Sequence, residues 1–129
     1  MKTTVIDIHK KNGIVPEHDI YIGRRDRFSK RPESKWHNPF LVDKPDKKRD
    51  GILEEVIEKH RIYLLQNDEL LEALFDLHGK ILGCWCPGPC HGDTLAEYAD
   101  IVFEATQAAG RKLSADEIRK ILTRSEAMP

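Results

Sequence analysis

The sequence contains no long apolar segment and only three cysteines. No stretch approaches the ~18 consecutive apolar residues that a membrane-spanning helix needs, and the first residues lack the apolar core of a secretory signal peptide. Cys84, Cys86 and Cys90 are an odd number of cysteines and lie too close together to cross-link a fold. We therefore expect a cytoplasmic protein whose cysteines serve metal binding or thiol chemistry.

The composition is that of a folded domain. Hydrophobic residues make up 40% of the chain and charged residues 33%, with a formal net charge of −1. A disordered chain would have fewer apolar residues and a larger charge imbalance. At 129 residues the chain has the size of one domain with one hydrophobic core. We predict a single domain over residues 1–129.

The charge is unevenly distributed along the chain. Residues 24–49 contain ten Lys and Arg but four Asp and Glu, a net charge of +6, whereas the rest of the chain carries −7. A basic block of this kind attracts phosphates or nucleic acid, although a solvated loop rich in Lys and Pro has the same composition. We call residues 24–50 the basic loop and expect a nucleotide or nucleic acid, and no membrane, as partner.

Short β-branched runs alternate with helical periodicities. Strands are predicted at Thr3–Ile8, Asp19–Ile22 and Lys80–Cys86. Helices are predicted over 51–66 with Asp50 as N-cap, from Asn67 or Asp68 to Gly79, from Asp93 or Thr94 to Gly110, and over 114–127 with Ser114 as N-cap. This order predicts an α/β fold, a small layered Rossmann-like sheet with flanking helices and a C-terminal helical extension.

The strand–loop–helix segment 80–108 is the predicted site. In open α/β sheets, ligands bind beyond the carboxyl ends of the strands, where loops meet helix N-termini. The run from Gly83 to Asp93 occupies that place in the predicted order of elements. Backbone N–H groups at Gly88 and Gly92 also suit an anion, as they do at helix-terminal phosphate sites.

A zinc site is one interpretation of the cysteine run. Its ligands would be three thiolates and one imidazole: Cys84, Cys86, Cys90 and His91. Because neighbouring Cys90 and His91 would be strained on a single ion, a remote His37 or His78, or water, is the alternative fourth ligand. Packing of the cysteines as small buried hydrophobic residues is a second interpretation.

Thiol catalysis is the third interpretation. Cys90 precedes a predicted helix N-terminus, whose partial positive charge favours the thiolate nucleophile. His91 would then carry the proton and Asp93 would orient it. Helix capping is the alternative role for Asp93. The residues leave the three interpretations open.

Four sequence blocks occur together in a known family. They are Tyr21-Ile-Gly-Arg24, Ser34-Lys-Trp-His-Asn-Pro-Phe40, Glu54-Glu-Val-Ile-Glu58 running on to Tyr63, and Gly83-Cys-Trp-Cys followed by Pro89-Cys-His-Gly-Asp93. On these blocks the chain resembles, over roughly residues 20–99, the Domain of Unknown Function 4326 family of bacteria and phages. The family has no settled activity, so the resemblance implies one shared site and no particular reaction.

The resemblance adds expected ligand contacts to the cysteine run: Tyr21, Arg24, Lys35, Asn38 and Trp85. Arg24 and Lys35 suit a phosphate, and Asn38 suits a base edge or a carbonyl. Three functional hypotheses follow. The protein is an enzyme acting on a nucleotide, nucleobase or nucleic acid, a non-enzymatic zinc-stabilised module that binds such a ligand, or an interaction domain whose cysteines only pack.

Overall fold

The α/β class is confirmed by the computed structural model, which describes residues 1–26, 31–85 and 88–127. Within these ranges the strands are β1 (Thr4–Asp7), β2 (Ile20–Tyr21) and β3 (Ile81–Cys84). The helices are α1 (Leu53–Leu65), α2 (Asp68–Ala73), a short 3₁₀ helix (Leu74–Leu77), α3 (His91–Ala109) and α4 (Ala115–Ala127). No helix in the described ranges is both long and apolar enough to cross a membrane.

The strands form one parallel sheet in the order β1-β3-β2, with β3 in the centre. Val5 lies opposite Leu82, and Tyr21 lies opposite Gly83. Because the strands are parallel, their carboxyl ends meet at one edge of the sheet. We call this the carboxyl edge. The basic loop, the cysteine run and the residues that follow β1 all leave the sheet there.

One hydrophobic cluster joins the sheet to the helices. Leu82 in β3, Leu64 in α1, Leu95 in α3 and Leu122 in α4 are each 0% exposed and belong to this cluster. Trp36 of the basic loop also packs into it at 4% exposure. Part of the basic loop is therefore anchored on the core and is not a freely solvated segment.

The predicted start of α1 is wrong. Ile52, not Asp50, is the N-cap residue. The Asp50 carboxylate instead accepts the backbone N–H of Leu41 at 2.6 Å, within the basic loop. The start of α4 is confirmed, because Ser114 Oγ accepts the N–H of Glu117 at 3.2 Å while the Glu117 carboxylate accepts the N–H of Ser114 at 3.1 Å.

The predicted start of α3 is also wrong. Because the helix begins earlier than predicted, its N-terminus includes the Cys90 and His91 of the cysteine run. α3 begins at His91, two residues before Asp93, with Cys90 as N-cap. The Asp93 carboxylate accepts the N–H of Cys90 at 3.1 Å, and Cys90 Sγ accepts the N–H of Gly92 at 3.4 Å. Cysteine is not among the usual N-cap residues, so the preference for Asp or Thr pointed to a later start.

Gly92 allows α3 to lie against the sheet. A Cβ atom at this position would be 2.6 Å from Ile22 Cδ1 and 2.9 Å from Val5 Cγ1. The first turn of α3 therefore contacts residues of β1 and the end of β2 more closely than any side chain permits. This close approach brings Cys90 and His91 to the carboxyl edge.

Replacement of Gly92 tests this close approach. We expect Gly92→Ala to destabilise the fold by about 1–3 kcal/mol through overpacking, reduced by the ~1 kcal/mol that Ala gains over Gly within a helix. Urea unfolding measures the change. Gly88→Ala is the matched control, because its Cβ would meet nothing within 4 Å.

A second substitution tests whether the steric contact with Ile22 causes the loss of stability in Gly92→Ala. Ile22→Val removes the Cδ1 atom that the new methyl group would meet, so the double variant should be more stable than the sum of the two single changes predicts. Strict additivity would contradict the steric explanation.

Candidate functional site

Cys90 and His91 form a side-chain pair at the start of α3. Cys90 Sγ lies 3.5 Å from His91 Nδ1, and the two residues are 2% and 7% exposed. His91 Nε2 lies 2.9 Å from the carbonyl oxygen of Ile22. Because a carbonyl only accepts hydrogen bonds, Nε2 carries the proton and Nδ1 is left to accept from the thiol. The two neighbouring residues thus point toward each other.

Two groups at the start of α3 face the Cys90 sulfur. It caps α3, a helix of 19 residues, and its sulfur accepts the N–H of Gly92 at 3.4 Å. A helix N-terminus carries a partial positive charge, which stabilises an anionic sulfur relative to the thiol. The site therefore combines a stabilised sulfur with a proton acceptor.

Cys84 lies directly beside this pair. Its Sγ is 3.2 Å from Cys90 Sγ, and the residue is 1% exposed at the end of β3. Neither residue forms a disulfide with another described residue. The structure thus places two buried sulfurs and one imidazole nitrogen together.

A second histidine extends the buried pair. The His60 ring lies edge-on to the His91 ring, with ring centres 4.9 Å apart. Burial lowers the pKa of His60 to about 3 and also lowers the pKa of His91, although the hydrogen bond to Ile22 opposes the second shift. Both rings are therefore neutral at pH 7. His60 Nδ1 is buried without a hydrogen-bond partner in the described residues.

The two sulfurs and the His91 ring line a cavity of about 450 Å³. The basic loop contributes three cationic residues to its wall, Arg24, Lys44 and Arg49. α1 contributes apolar residues such as Leu53 and Val56. A larger cavity of about 610 Å³ lies among α2, α3 and α4 and is lined by no cysteine or histidine. The smaller cavity is the candidate site, because two cysteine sulfurs and a histidine ring lie together in its wall.

Arg24 and Asn38 line this cavity but bind backbone atoms. Arg24 donates from Nη2 to the carbonyl oxygens of Asn38 at 2.7 Å and Phe40 at 2.5 Å. Asn38 donates from Nδ2 to the carbonyl of Val56 at 3.1 Å, and its Oδ1 accepts the N–H of Phe40 at 2.9 Å. These contacts shape the cavity wall and hold the basic loop against α1.

The other three expected ligand contacts are placed differently. Trp85 lines the cavity. Tyr21 does not line it, but its hydroxyl accepts from Trp85 Nε1 at 3.0 Å and donates to the Arg24 carbonyl, so it positions the indole. Lys35 does not line the cavity either. Its Nζ lies 5.3 Å from the centre of the Trp36 ring.

In the described ranges, no group of three or more His, Cys, Asp or Glu side chains is arranged to hold a metal ion. Cys86, one predicted zinc ligand, lies outside the described residues. The remote histidines have other partners. His37 contacts Ser34 O and Glu33 Oε1, each at 2.7 Å, and His78 contacts Asp100 Oδ1 at 2.8 Å. His78 lies beside Thr3, at the opposite edge of the sheet.

Arg49 and His60 are the site residues that sequence reasoning missed. Arg49 lines the cavity, and its Nε atom is buried without a hydrogen-bond partner in the described residues. Along the sequence it follows Lys47 and Lys48, and nothing distinguishes it from them. His60 occupies an apolar position of the α1 periodicity, which indicated burial but gave no sign of contact with His91.

Comparison with known proteins places the chain in a family. A family model matches residues 6–101. The chain belongs to the Domain of unknown function (DUF4326) family. It is also similar to an uncharacterized protein of Acanthamoeba polyphaga mimivirus, with 35% identity over 103 residues, 71% of this chain and 75% of the viral protein. No solved structure matches this DUF4326 chain. The predicted family is confirmed, and the candidate site from Tyr21 to Asp93 lies within the matched residues.

The buried histidines predict a loss of stability in weak acid. Because the folded-state pKa of His60 is about 3, against 6.5 for an ordinary histidine, protons bind the unfolded chain preferentially below about pH 6.5. The stability that neutral His60 provides above that pH is lost as the pH falls toward 3. We expect the free energy of unfolding to drop by about 2 kcal/mol between pH 7 and pH 5 from this residue alone.

Urea unfolding at the two pH values measures this drop. The His60→Phe variant keeps a buried ring that has no ionisable group, so it should lose much less stability over the same interval. An equal drop in both proteins would contradict the assignment to His60.

Proposed function

We propose that this protein is a thiol-dependent enzyme that acts on a nucleotide, or on a nucleobase-containing ligand, bound in the cavity at the carboxyl edge. The observation that carries the proposal is the Cys90–His91 pair, with Sγ and Nδ1 3.5 Å apart at the N-terminus of α3. A nucleophilic sulfur, a proton acceptor and a cavity are the components that covalent catalysis requires.

The proposed chemistry follows from the hydrogen bonds of the pair. The Cys90 thiol gives its proton to His91 Nδ1 while the sulfur forms a bond to an electrophilic carbon of the ligand. The Ile22 carbonyl, which accepts from Nε2, stabilises the imidazolium that results. Because burial lowers the pKa of His91, the imidazolium returns its proton readily to the leaving group. The Gly92 N–H, which donates to the sulfur, stabilises the negative charge that develops there as the proton leaves.

The cavity wall supports a phosphate-bearing ligand. Lys44 and Arg49 add positive charge, and a buried donor without a partner, such as Arg49 Nε, is uncommon unless a ligand satisfies it. Phe40 and Trp85 offer aromatic surface for a base. The volume of about 450 Å³ lies in the usual range for small-molecule sites. These features favour a nucleotide over an extended strand of nucleic acid.

The cytoplasm is the proposed location of the protein. Thiols such as those of Cys84 and Cys90 stay reduced in that compartment. Oxidation there is reversed by cellular thiols, so the nucleophile stays available.

A second candidate is a non-enzymatic module that binds a nucleotide or nucleic acid and is stabilised by zinc. The observation that favours it is the hydrogen bond from His91 Nε2 to a backbone carbonyl, which is how metal-binding histidines are commonly oriented. Cys84, Cys90 and His91 would then bind the ion together with Cys86. A stoichiometric zinc that is lost in Cys86→Ser would support this module. Metal-free protein with a fast-reacting Cys90 would exclude it.

The nucleotide proposal predicts that Arg49 contributes to nucleotide binding and that a basic-loop cation outside the cavity does not. In a panel of nucleoside mono-, di- and triphosphates, a nucleotide that binds should protect Cys90 from alkylation by iodoacetamide. Arg49→Gln should weaken its binding by about 10–100-fold, the effect of losing a charged hydrogen bond. The concentration that gives half-protection measures the change.

Lys35→Gln is the matched control, because it removes one charge from the same basic loop outside the cavity. Its half-protection concentration should match that of the wild type. If no nucleotide protects Cys90, or if both variants weaken binding equally, the proposal fails.

A further inference from the structure

We propose that Cys84 and Cys90 are an oxidisable dithiol that forms a reversible intramolecular disulfide on the cavity floor. Their sulfurs are 3.2 Å apart, which is close to but beyond bonding distance. The proposal does not depend on the reaction proposed above, since it concerns only the two thiols and a small oxidant.

Rigid elements hold the two sulfurs in place. Cys84 ends the central strand, and its carbonyl accepts the N–H of Ile8 at 2.9 Å. Cys90 caps α3, and its N–H donates to the Asp93 carboxylate at 3.1 Å. A disulfide bond is about 2.0 Å long, so its formation requires the sulfurs to approach by only about 1 Å. Such prior placement greatly accelerates a reaction between two groups of one chain.

The surroundings of the two sulfurs make Cys90 the attacking thiol. Cys90 has the Gly92 N–H at 3.4 Å and His91 Nδ1 at 3.5 Å. The thiolate, not the thiol, attacks a disulfide. In the proposed sequence Cys90 attacks first, and Cys84 acts second as the resolving thiol.

The oxidant is a low-molecular-weight disulfide, written RSSR. Cys90 Sγ attacks one sulfur of RSSR, its proton passes to His91 Nδ1, and the first RSH leaves with that proton. Cys84 Sγ then attacks Cys90 Sγ of the mixed disulfide, and the second RSH leaves with the Cys84 proton. The two cysteines lose two electrons and two protons in total, and RSSR is reduced to two RSH.

Burial restricts the oxidant to a small molecule. Cys84 and Cys90 are 1% and 2% exposed, so the surface of a partner protein does not reach them, but both line the cavity of about 450 Å³. Oxidation would remove the nucleophilic sulfur from the cavity floor, and reduction would restore it. The state of this pair would therefore control any chemistry of Cys90.

The test uses Cys86→Ser, which leaves only the two thiols in question. The protein is equilibrated with reduced and oxidised glutathione in the presence of EDTA, quenched with acid and weighed by mass spectrometry. We expect the loss of two hydrogen atoms without a lasting glutathione adduct, and full reversal by dithiothreitol. In Cys86→Ser/Cys84→Ser we expect the adduct on Cys90 to accumulate at least tenfold above its level in Cys86→Ser.

Wild-type protein makes the test independent of how the variants fold. Trypsin releases all three cysteines in the peptide 81–111, and tandem mass spectrometry identifies the linked pair. A Cys84–Cys90 link supports the proposal. A link that involves Cys86, or free thiols throughout the glutathione range, overturns it. Because no nucleotide is present, this result is separate from the nucleotide-protection test of the proposed enzyme.

Discussion

The close contact between the first turn of α3 and the sheet is the constraint on which the site depends. Gly92 has no side chain where Ile22 and Val5 approach, so the helix begins directly against the carboxyl edge. The same contact brings the His91 ring within 2.9 Å of the Ile22 carbonyl, which fixes its tautomer. Cys90 is consequently held between a helix N-terminus, an imidazole and Cys84. A helix starting farther from the sheet would separate these groups.

The chemistry of the pair depends on burial as much as on position. His60 and His91 are enclosed by the core and stay neutral, which leaves Nδ1 of His91 able to accept a proton. Enclosure also leaves His60 Nδ1 and Arg49 Nε without partners in the described residues. Unsatisfied buried groups cost stability and are concentrated at functional sites in native proteins. Arg49 lines the cavity, and the His60 ring contacts the His91 ring that also lines it, which agrees with a site shaped for a ligand.

The general position of the site was predictable, but its internal arrangement was not. The β-branched run of β1 and the apolar run of β3 specify buried strands, and a strand that leads into a helix at Cys90 specifies a ligand loop. That Cys90 caps α3 depends on the Asp93 carboxylate and on the fit of Gly92, which are tertiary features. Neighbouring residues seldom face each other, so the sequence left the Cys90–His91 contact as one of three open interpretations.

The basic loop shows the same limit of sequence reasoning. Its charge indicated an anionic ligand, but which cation faces the cavity depends on how the loop folds. Arg24 binds the backbone of Asn38 and Phe40, Lys35 lies outside the cavity, and Arg49 lines it. Nothing in the sequence of residues 24–49 indicates which of the ten Lys and Arg residues has which of these roles.

The central claim is that His91 activates Cys90, and the rate of Cys90 alkylation at pH 7 tests it most directly. His91→Gln is the sharpest variant, because its amide nitrogen can still donate to the Ile22 carbonyl while the acceptor at the Nδ1 position is lost. With folding verified by circular dichroism, the account predicts that iodoacetamide modifies Cys90 at least about tenfold more slowly in His91→Gln than in the wild type. Equal rates in the two proteins would contradict it.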